Sequence, residues 1–543
     1  MSNLIKKSSS GRTLISCTYH ADKSLKSLTD VSGKTVHYGY DRLGRLERIC
    51  DDNGDEIVRY GHTAGGKLKE IRHGNGMHTA YEYDTDDNII RLTLKNEKGI
   101  VFSDFRYEYD LNGNRILKSG SCLLPVEDKI KEQVVRYRYD CMDRLMEEQY
   151  DGKPVEYIYD RCGNRLVRVD SDGKEEYHYN RKNQLISRKK GTESVEYRYD
   201  LQGNILEEAS NRGKTEYGYN AFNQQTTTFM NNGQIQENWY DAEFLRAEVS
   251  ENGCSSRFLY YNGELLAESE LNDTVRNRYI LGYGVAASWQ KEGYHSYHLD
   301  EQNSTAYITD SGRRIENSYQ YDAFGVIREK NENVYNRILY TGQQYDQVTG
   351  QHYLRARYYN PVLGRFLQED VYRGDGLNLY VYCENNSVIY YDPSGYGKAP
   401  VVPFKKGQYN YPDINALNYN ERVRSLYGDP PDWMVDPHAH HFPYKKGKVN
   451  QQPTVDKIQD ILVDFEIDPI YGEEVLCWAP NRVKGQHATA QLESYLKELE
   501  ELKLNGGTRE EVIELTRRYQ QEDSVRGTEK EKKKNDSACE NKN

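Results

Sequence analysis

The amino-acid sequence predicts a mainly β protein: a long repetitive β array followed by a small α+β segment at the carboxy-terminal end. Three observations predict it. A Tyr-x-Tyr-Asp phrase recurs along the first half of the chain. The apolar fraction is only 36%, yet 49 tyrosines offer large rings that bury area while a hydroxyl stays wet, which suits sheet surfaces better than a helical core. Beyond residue 396 the phrase stops, prolines cluster, and apolar residues later recur with helical spacing.

The repeats come first. "YGYDRLGRL", "YEYDLNGNRI", "YRYDCMDRL", "YIYDRCGNRL", "YHYNRKNQL" and "YRYDLQGNIL" are variants of one unit, and Asp140, Asp160, Asn180, Asp200 and Asn220 fall at a strict interval of twenty. Each unit reads as strand, turn, strand. Tyr-x-Tyr alternates as a strand, Asp or Asn opens the turn, Gly or Asn supplies a left-handed residue, and Arg-Leu starts the return strand. A lone hairpin cannot bury its own face, so stacked units must share one sheet with tyrosines laddered between repeats.

Charge and cysteines narrow the class. A net charge of -12 argues against a chain coated for nucleic acid, so any phosphate contact is local. Nine cysteines without a CxxC pair fit neither a disulfide framework nor a zinc ribbon, and read as free, mostly structural thiols. The amino terminus has no apolar core of a signal peptide, and no window reaches the length of a membrane span.

After about residue 241 the pattern loosens, and it changes character at "YQYDAFGVI", "LYTGQQYDQVTGQHYLRARYYNPVLGRFLQED" and "NLYVYCENNSVIYYDPSG". Here Gly342, Asp346, Gly350, Tyr353, Arg357, Tyr358, Tyr359, Pro361, Gly364, Arg365 and Phe366 reproduce the core signature of the Rhs and YD-repeat proteins. With the repeats, the resemblance covers about residues 30 to 396. It implies a spiralling β-sheet shell around a variable carboxy-terminal cargo. It also implies self-cleavage at the end of the core, by two aspartates in Asp-Pro-x-Gly motifs. The second motif is complete at Asp392-Pro393-Ser394-Gly395, and twenty-two residues before it stands Asp370. The first motif departs from the pattern, with Val371 and Arg373 in place of proline and glycine, which questions the geometry of the pair. If the chain is cut, the resemblance places the cut just after Tyr396.

The remaining segment ends in two expected helices. Leu492, Leu496, Leu499 and Leu502 form a helical stripe, and Thr508 opens a second helix as a capping box with Glu511. From about residue 522 the charged tail reads as disordered. Ahead of the helices, "DPHAHHFPYKKG" holds three of the chain's thirteen histidines, His438, His440 and His441, and His487 follows near the first helix. Adjacent histidines on a strand face opposite ways, so one can hold a metal while the other takes a proton. A strand pair and a helix bearing such groups suit one-metal phosphodiester hydrolysis.

Ala439-His440-His441 and "APNRVKGQHATAQLESYL" resemble the Ala-His-His toxin branch of the HNH and endonuclease VII superfamily, a ββα-metal fold. The resemblance implies His440 and His487 as ligands of one divalent ion (Mg2+, Zn2+ or similar) and His441 as general base. Asn481, His438 and Glu474 are candidates for a further ligand or for loop support, and Lys445 and Lys446 for a phosphate contact. A structural metal is the plainer alternative, although four histidines without thiolates make an unusual closed site.

The expected organisation is a poorly defined segment (1–30), a repeat array (31–336), a core-closing region (337–396), an entry segment (397–430), a nuclease domain (431–521) and a charged tail (522–543). The expected function is that of a secreted or cell-surface effector delivered to a competing bacterium, an endonuclease favouring DNA over RNA. A cognate immunity protein and export machinery are its implied partners. The alternative is a non-enzymatic adhesion protein whose exposed tyrosines stack on sugars.

Overall fold

The structure is a computed structural model that describes residues 4–9, 11–124, 129–290, 293–371, 378–400, 437–441, 454, 457–458, 461–462, 476–480, 489–504 and 508–525. The chain forms two compact units, Met1–Pro412 and Asp413–Asn543.

In the first unit, thirty-one strands from β1 (Lys6–Ser9) to β31 (Ile327–Glu332) make one sheet. Each strand pairs antiparallel with the one before it, so the sheet is a continuous meander. Residues 6–29, which lack the tyrosine phrase, already supply three strands. The sheet also runs on past residue 241, where the pattern loosens.

The turn chemistry explains the twenty-residue period. At residues 159–165 the Asp160 Oδ1 accepts the N–H groups of Cys162 and Asn164, both at 2.8 Å, and Oδ2 accepts the Asn164 side-chain amide at 2.9 Å. The backbone closes with Asp160 N–H donating to Asn164 O at 2.9 Å, and Gly163 takes φ of 80°. Asp143, Asn183, Gly203 and Asn223 stand in the same left-handed position, with φ of 59°, 61°, 89° and 60°. In these regular units the position is held by Gly, Asn or Asp, which tolerate this region, although Lys23, Phe244 and Arg313 take it in other hairpins, and the register shift after Ile158 marks the accompanying bulge.

The two tyrosines of each phrase divide the work. The first is buried, as at Tyr157, Tyr177, Tyr197 and Tyr217. The second reaches back across the sheet: Tyr159 donates to Leu145 O at 2.9 Å, Tyr179 to Arg165 O at 2.9 Å, and Tyr139 to Arg115 O at 2.7 Å. Each such bond contributes about 1 kcal/mol, and the repetition makes a ladder.

The sheet curls back on itself. Arg278 pairs with Asp30, and Glu301 lies buried against Arg115 and Lys118, at 2.9 and 3.0 Å. Leu266, Ile280 and Ala287 share a core with Ile15, Leu28, Val36 and Ile49. The closing region fills the interior: Tyr353, Tyr358, Leu363 and Leu367 pack among Tyr177, Tyr197, Ile205 and Tyr217. Of four short strands, β32 (Gln344–Asp346), β33 (Gln351–Tyr353), β34 (Tyr358–Asn360) and β35 (Arg365–Phe366), β33 carries Tyr353 and β34 Tyr358, while Leu363 and Leu367 flank β35.

Asp346, on β32, is fully buried and binds Arg246 through both nitrogens, at 2.5 and 2.9 Å, with Arg337 at 3.1 Å. Burial pushes its carboxyl up, but Arg246, Arg337 and the Gln236 amide outweigh this and hold it below the ordinary value. Asp346→Ala leaves two guanidinium groups buried around a missing anion. The expected loss is about 3–5 kcal/mol of shell stability, read as the midpoint of denaturant unfolding. An unchanged midpoint refutes the role.

The second unit has its own small core. Helices α1 (Thr489–Leu504) and α2 (Arg509–Val525) bury Leu492, Tyr495, Leu499, Val512, Leu515 and Tyr519 with Ile458 and Leu462. The capping box is formed, with Thr508 N–H donating to Glu511 Oε2 at 2.7 Å and Glu511 N–H to Thr508 Oγ at 3.3 Å. The helix runs to Val525, slightly into the stretch expected to be disordered; residues 526–543 lie outside the described residues.

Candidate functional site

Asp392 follows strand β36 (Tyr390–Tyr391) and caps its own turn. Its Oδ1 accepts the N–H groups of Ser394 at 3.0 Å and Gly395 at 2.7 Å. Gly395 is required there: φ is 79°, and a Cβ would stand 2.6 Å from Leu354 O and 2.9 Å from Arg357 N. Asp370 is held without the proline and glycine of its own motif. Its N–H donates to Leu379 O at 3.0 Å, and its carboxylate meets Arg357 at 2.7 Å.

Arg357 is the hub that joins the two. One terminal nitrogen lies 2.7 Å from Asp370 Oδ2 and 3.7 Å from Asp392 Oδ2. The other donates to Leu379 O at 3.1 Å, Nε donates to Gly395 O, and the guanidinium lies 3.6 Å from the centre of the Phe366 ring. All three side chains are buried. Asp370, Asp392, Arg357, Tyr396 and Gly397 line one small cavity of about 30 Å³. Burial pushes the Asp392 carboxyl up, opposed by Arg357 and by the backbone N–H groups of Ser394, Gly395 and Gly397. The two aspartates therefore converge beside the Tyr396–Gly397 peptide, whose N–H lies near enough to Asp392 to favour its charged form. The arrangement sets one carboxylate against a cation and, next to one peptide bond, a second that burial pushes toward its protonated form.

Residues 378–386, and Arg365 ahead of Asp370, are fixed by contacts that no local pattern announces. Asn378 donates to Asn164 Oδ1 at 2.8 Å, Asn385 to Gly163 O at 2.8 Å, and Asn386 to Asn114 Oδ1 and Asp143 O, both at 2.8 Å. Tyr380 donates to Gly203 O at 2.9 Å and Arg365 to Asn183 O at 2.7 Å. The closing segment is thus docked on the turns of successive repeats, which in turn sets Asp370 and Asp392 over the cavity.

In the second unit, β38 (Pro437–His441) pairs antiparallel with β39 (Leu476–Pro480), His440 standing opposite Cys477 and His441 opposite Leu476. Strand β39 is also approached by α2. His438, His440 and His441 are thus on one strand, with α1 beginning two residues after His487. His487, Asn481, Glu474, Lys445 and Lys446 lie outside the described residues. Cys477, opposite His440 in the register, is a neighbour that the sequence reading passed over.

Comparison with known proteins bears on the shell. Residues 123–388 match the family model described as Teneurin YD-shell. The tRNA3(Ser)-specific nuclease WapA of Bacillus spizizenii is 30% identical over 67% of this chain and 16% of its own length. The double-stranded DNA deaminase toxin A of Burkholderia cenocepacia is 24% identical over 72% of this chain and 24% of its own. The chain therefore spans less than a quarter of either relative. Among solved structures, the TcdB2-TccC3-Cdc42 complex superposes with a TM-score of 0.60 at 20% identity, covering 70% of this chain and 21% of that one. The Tc holotoxin pore of Photorhabdus luminescens gives 0.57 at 18% identity, covering 73% of this chain and 22% of that one. At such identities the likeness speaks for the fold. The family match over residues 123–388 and the superpositions agree on the fold: the first unit is a YD-repeat β-sheet shell.

Proposed function

We propose that this protein is a shell-borne toxin that cuts its own chain between Tyr396 and Gly397, separating the shell from a metal-dependent nuclease. The observation that carries the first half is the convergence of Asp370, Asp392 and Arg357 on one cavity wall with that bond. Asp370 takes a proton from water, and the oxygen adds to the Tyr396 carbonyl carbon. When the carbon–nitrogen bond breaks, Asp392 gives its proton to the Gly397 nitrogen, leaving a carboxyl end and an amine. Arg357 pairs with Asp370 and steadies both side chains.

The nuclease half rests on the literal Ala-His-His on a strand of an antiparallel pair, in a small unit with two helices. An alignment as long as that with the WapA protein extends well beyond the second unit, so the nuclease in that protein's name speaks for the company this shell keeps. Relatives named as a nuclease and as a deaminase show that similar shells accompany different chemistries, and the tip must be argued from its own residues. Imidazole donors on β38 suit a divalent ion of borderline softness, with His440 and His487 as ligands and one of Asn481, His438 and Glu474 completing the set. A bound ion supplies Lewis-acid stabilisation of the phosphate. His441 takes the proton from the attacking water, and Lys445 and Lys446 seat the phosphate. DNA is the favoured substrate. Delivery into a rival bacterium, by export machinery, requires a cognate immunity protein in the producer.

The test is digestion of plasmid DNA and of tRNA by the purified protein, with and without chelator. Chelator-sensitive cleavage of DNA is the expected result. Cleavage of tRNA alone moves the substrate to RNA, and cleavage of neither removes the nuclease.

A further inference from the structure

The chain makes a left-handed turn where it has no glycine. Cys383, Glu384 and Asn385 take φ of 49°, 51° and 63° in succession, a conformation that a Cβ disfavours at each step. Such strain persists only where the surroundings over-determine it. Here the amides of Asn385 and Asn386 are tied to repeat turns, and the backbone closes through Asn385 N–H to Tyr382 O at 3.0 Å and Asn386 N–H to Cys383 O at 2.9 Å. Cys383 and Asn385 are buried, and Glu384 between them is exposed.

Glu384 forms an ion pair with Lys398, the second residue after the Tyr396–Gly397 bond. The Lys398 ammonium also lies 4.5 Å from the centre of the Tyr390 ring. The next two residues form β37 (Ala399–Pro400), which pairs antiparallel with β36, Tyr391 opposite Ala399 and Tyr390 opposite Pro400. The chain beyond the bond is thus gripped at two consecutive points: Lys398 on Glu384 and Tyr390, and a two-residue strand on β36. Both Glu384 and Lys398 border the cavity that holds the aspartates.

We infer that Glu384 is a specificity-determining residue for self-cleavage, one that selects a cationic side chain at the second position beyond the bond and fixes that bond's register against Asp370 and Asp392. This rests on the cleavage reading above. The strained turn projects a carboxylate where the departing strand must be aligned, and β36 supplies sequence-independent backbone pairing beside it. The Glu384 carboxylate is half exposed and the Lys398 ammonium more covered, so the pair is modest and salt-sensitive.

The experiment follows cutting of the full chain during pulse-labelled cell-free synthesis, with the intact mass of the released piece as second readout. Glu384→Ala, Glu384→Lys and Lys398→Ala are expected to slow cutting about fivefold at low salt, with the difference shrinking at high salt, and to blur the cut site. The combined Glu384→Lys, Lys398→Glu protein is expected to recover to within about twofold of wild type and to release a piece beginning at Gly397. Recovery by reversed charges distinguishes pairing from a general need for either side chain. Wild-type rates in the single variants, or a double variant no faster than Glu384→Lys, overturn the inference alone. A wild-type chain that stays whole overturns the cleavage reading and this inference with it.

Discussion

Replacing Asp392 by asparagine is expected to leave the chain in one piece, with self-cleavage slowed by about 10³-fold. The substitution is nearly isosteric. Its side-chain oxygen still accepts the N–H groups of Ser394 and Gly395, so the turn and the cavity survive. What is lost is the proton that the Gly397 nitrogen needs in order to leave. Asp370→Asn is expected to be as severe for the opposite reason, because the amide paired with Arg357 no longer accepts a proton from water. The pH dependence has a definite sign. Asp392 acts in its protonated form, and burial raises its pKa, so its proton is retained to higher pH than in an ordinary aspartate; cutting declines as pH rises through that shifted value. Denaturing electrophoresis and the mass of the fragments check this. A fragment starting at Gly397 in the Asp392→Asn protein at an undiminished rate removes the mechanism.

His441→Ala is expected to abolish hydrolysis of nucleic acid, by about 10³-fold, while the metal content of the protein is retained. His440→Ala is expected to lose metal and activity together. The two outcomes differ because loss of a ligand releases the ion, whereas loss of the base leaves the ion bound and the attacking water without a proton acceptor. Digestion of DNA and tRNA, beside metal analysis of each purified variant, reads the split. Activity that persists in His441→Ala removes that residue as the base.

Much of the shell was legible because its information is local. The left-handed residues at 143, 163, 183, 203 and 223 repeat at the spacing that the aspartates announce, and each turn is completed by side chains within five residues. The capping box of α2 and its leucine stripe with α1 were legible for the same reason. Asp370 and Asp392 could be named from a motif, but their convergence could not, because it depends on Arg357, which the signature names without a role. The contacts of Asn378, Asn385 and Asn386 escaped entirely. Their partners lie more than two hundred residues earlier, and an asparagine in a polar stretch carries no periodic mark. The glycine-free left-handed turn escaped too, since propensity argues against it. The strand expected at the histidines is present, whereas His487 and the lysines lie outside the described residues.

The docking of the closing segment on the repeat turns makes that segment a gauge of chain length. One asparagine spans the hairpins at 110–114 and 140–144, two others meet the hairpin at 160–164, and an arginine and a tyrosine meet those at 180–184 and 200–204. Deleting a single twenty-residue unit anywhere in that span would leave one of these side chains facing the wrong neighbour and pull the two aspartates out of step with the bond they flank. Evolution can therefore lengthen or shorten such an array cheaply only outside this counted stretch, and the stretch itself must be inherited whole.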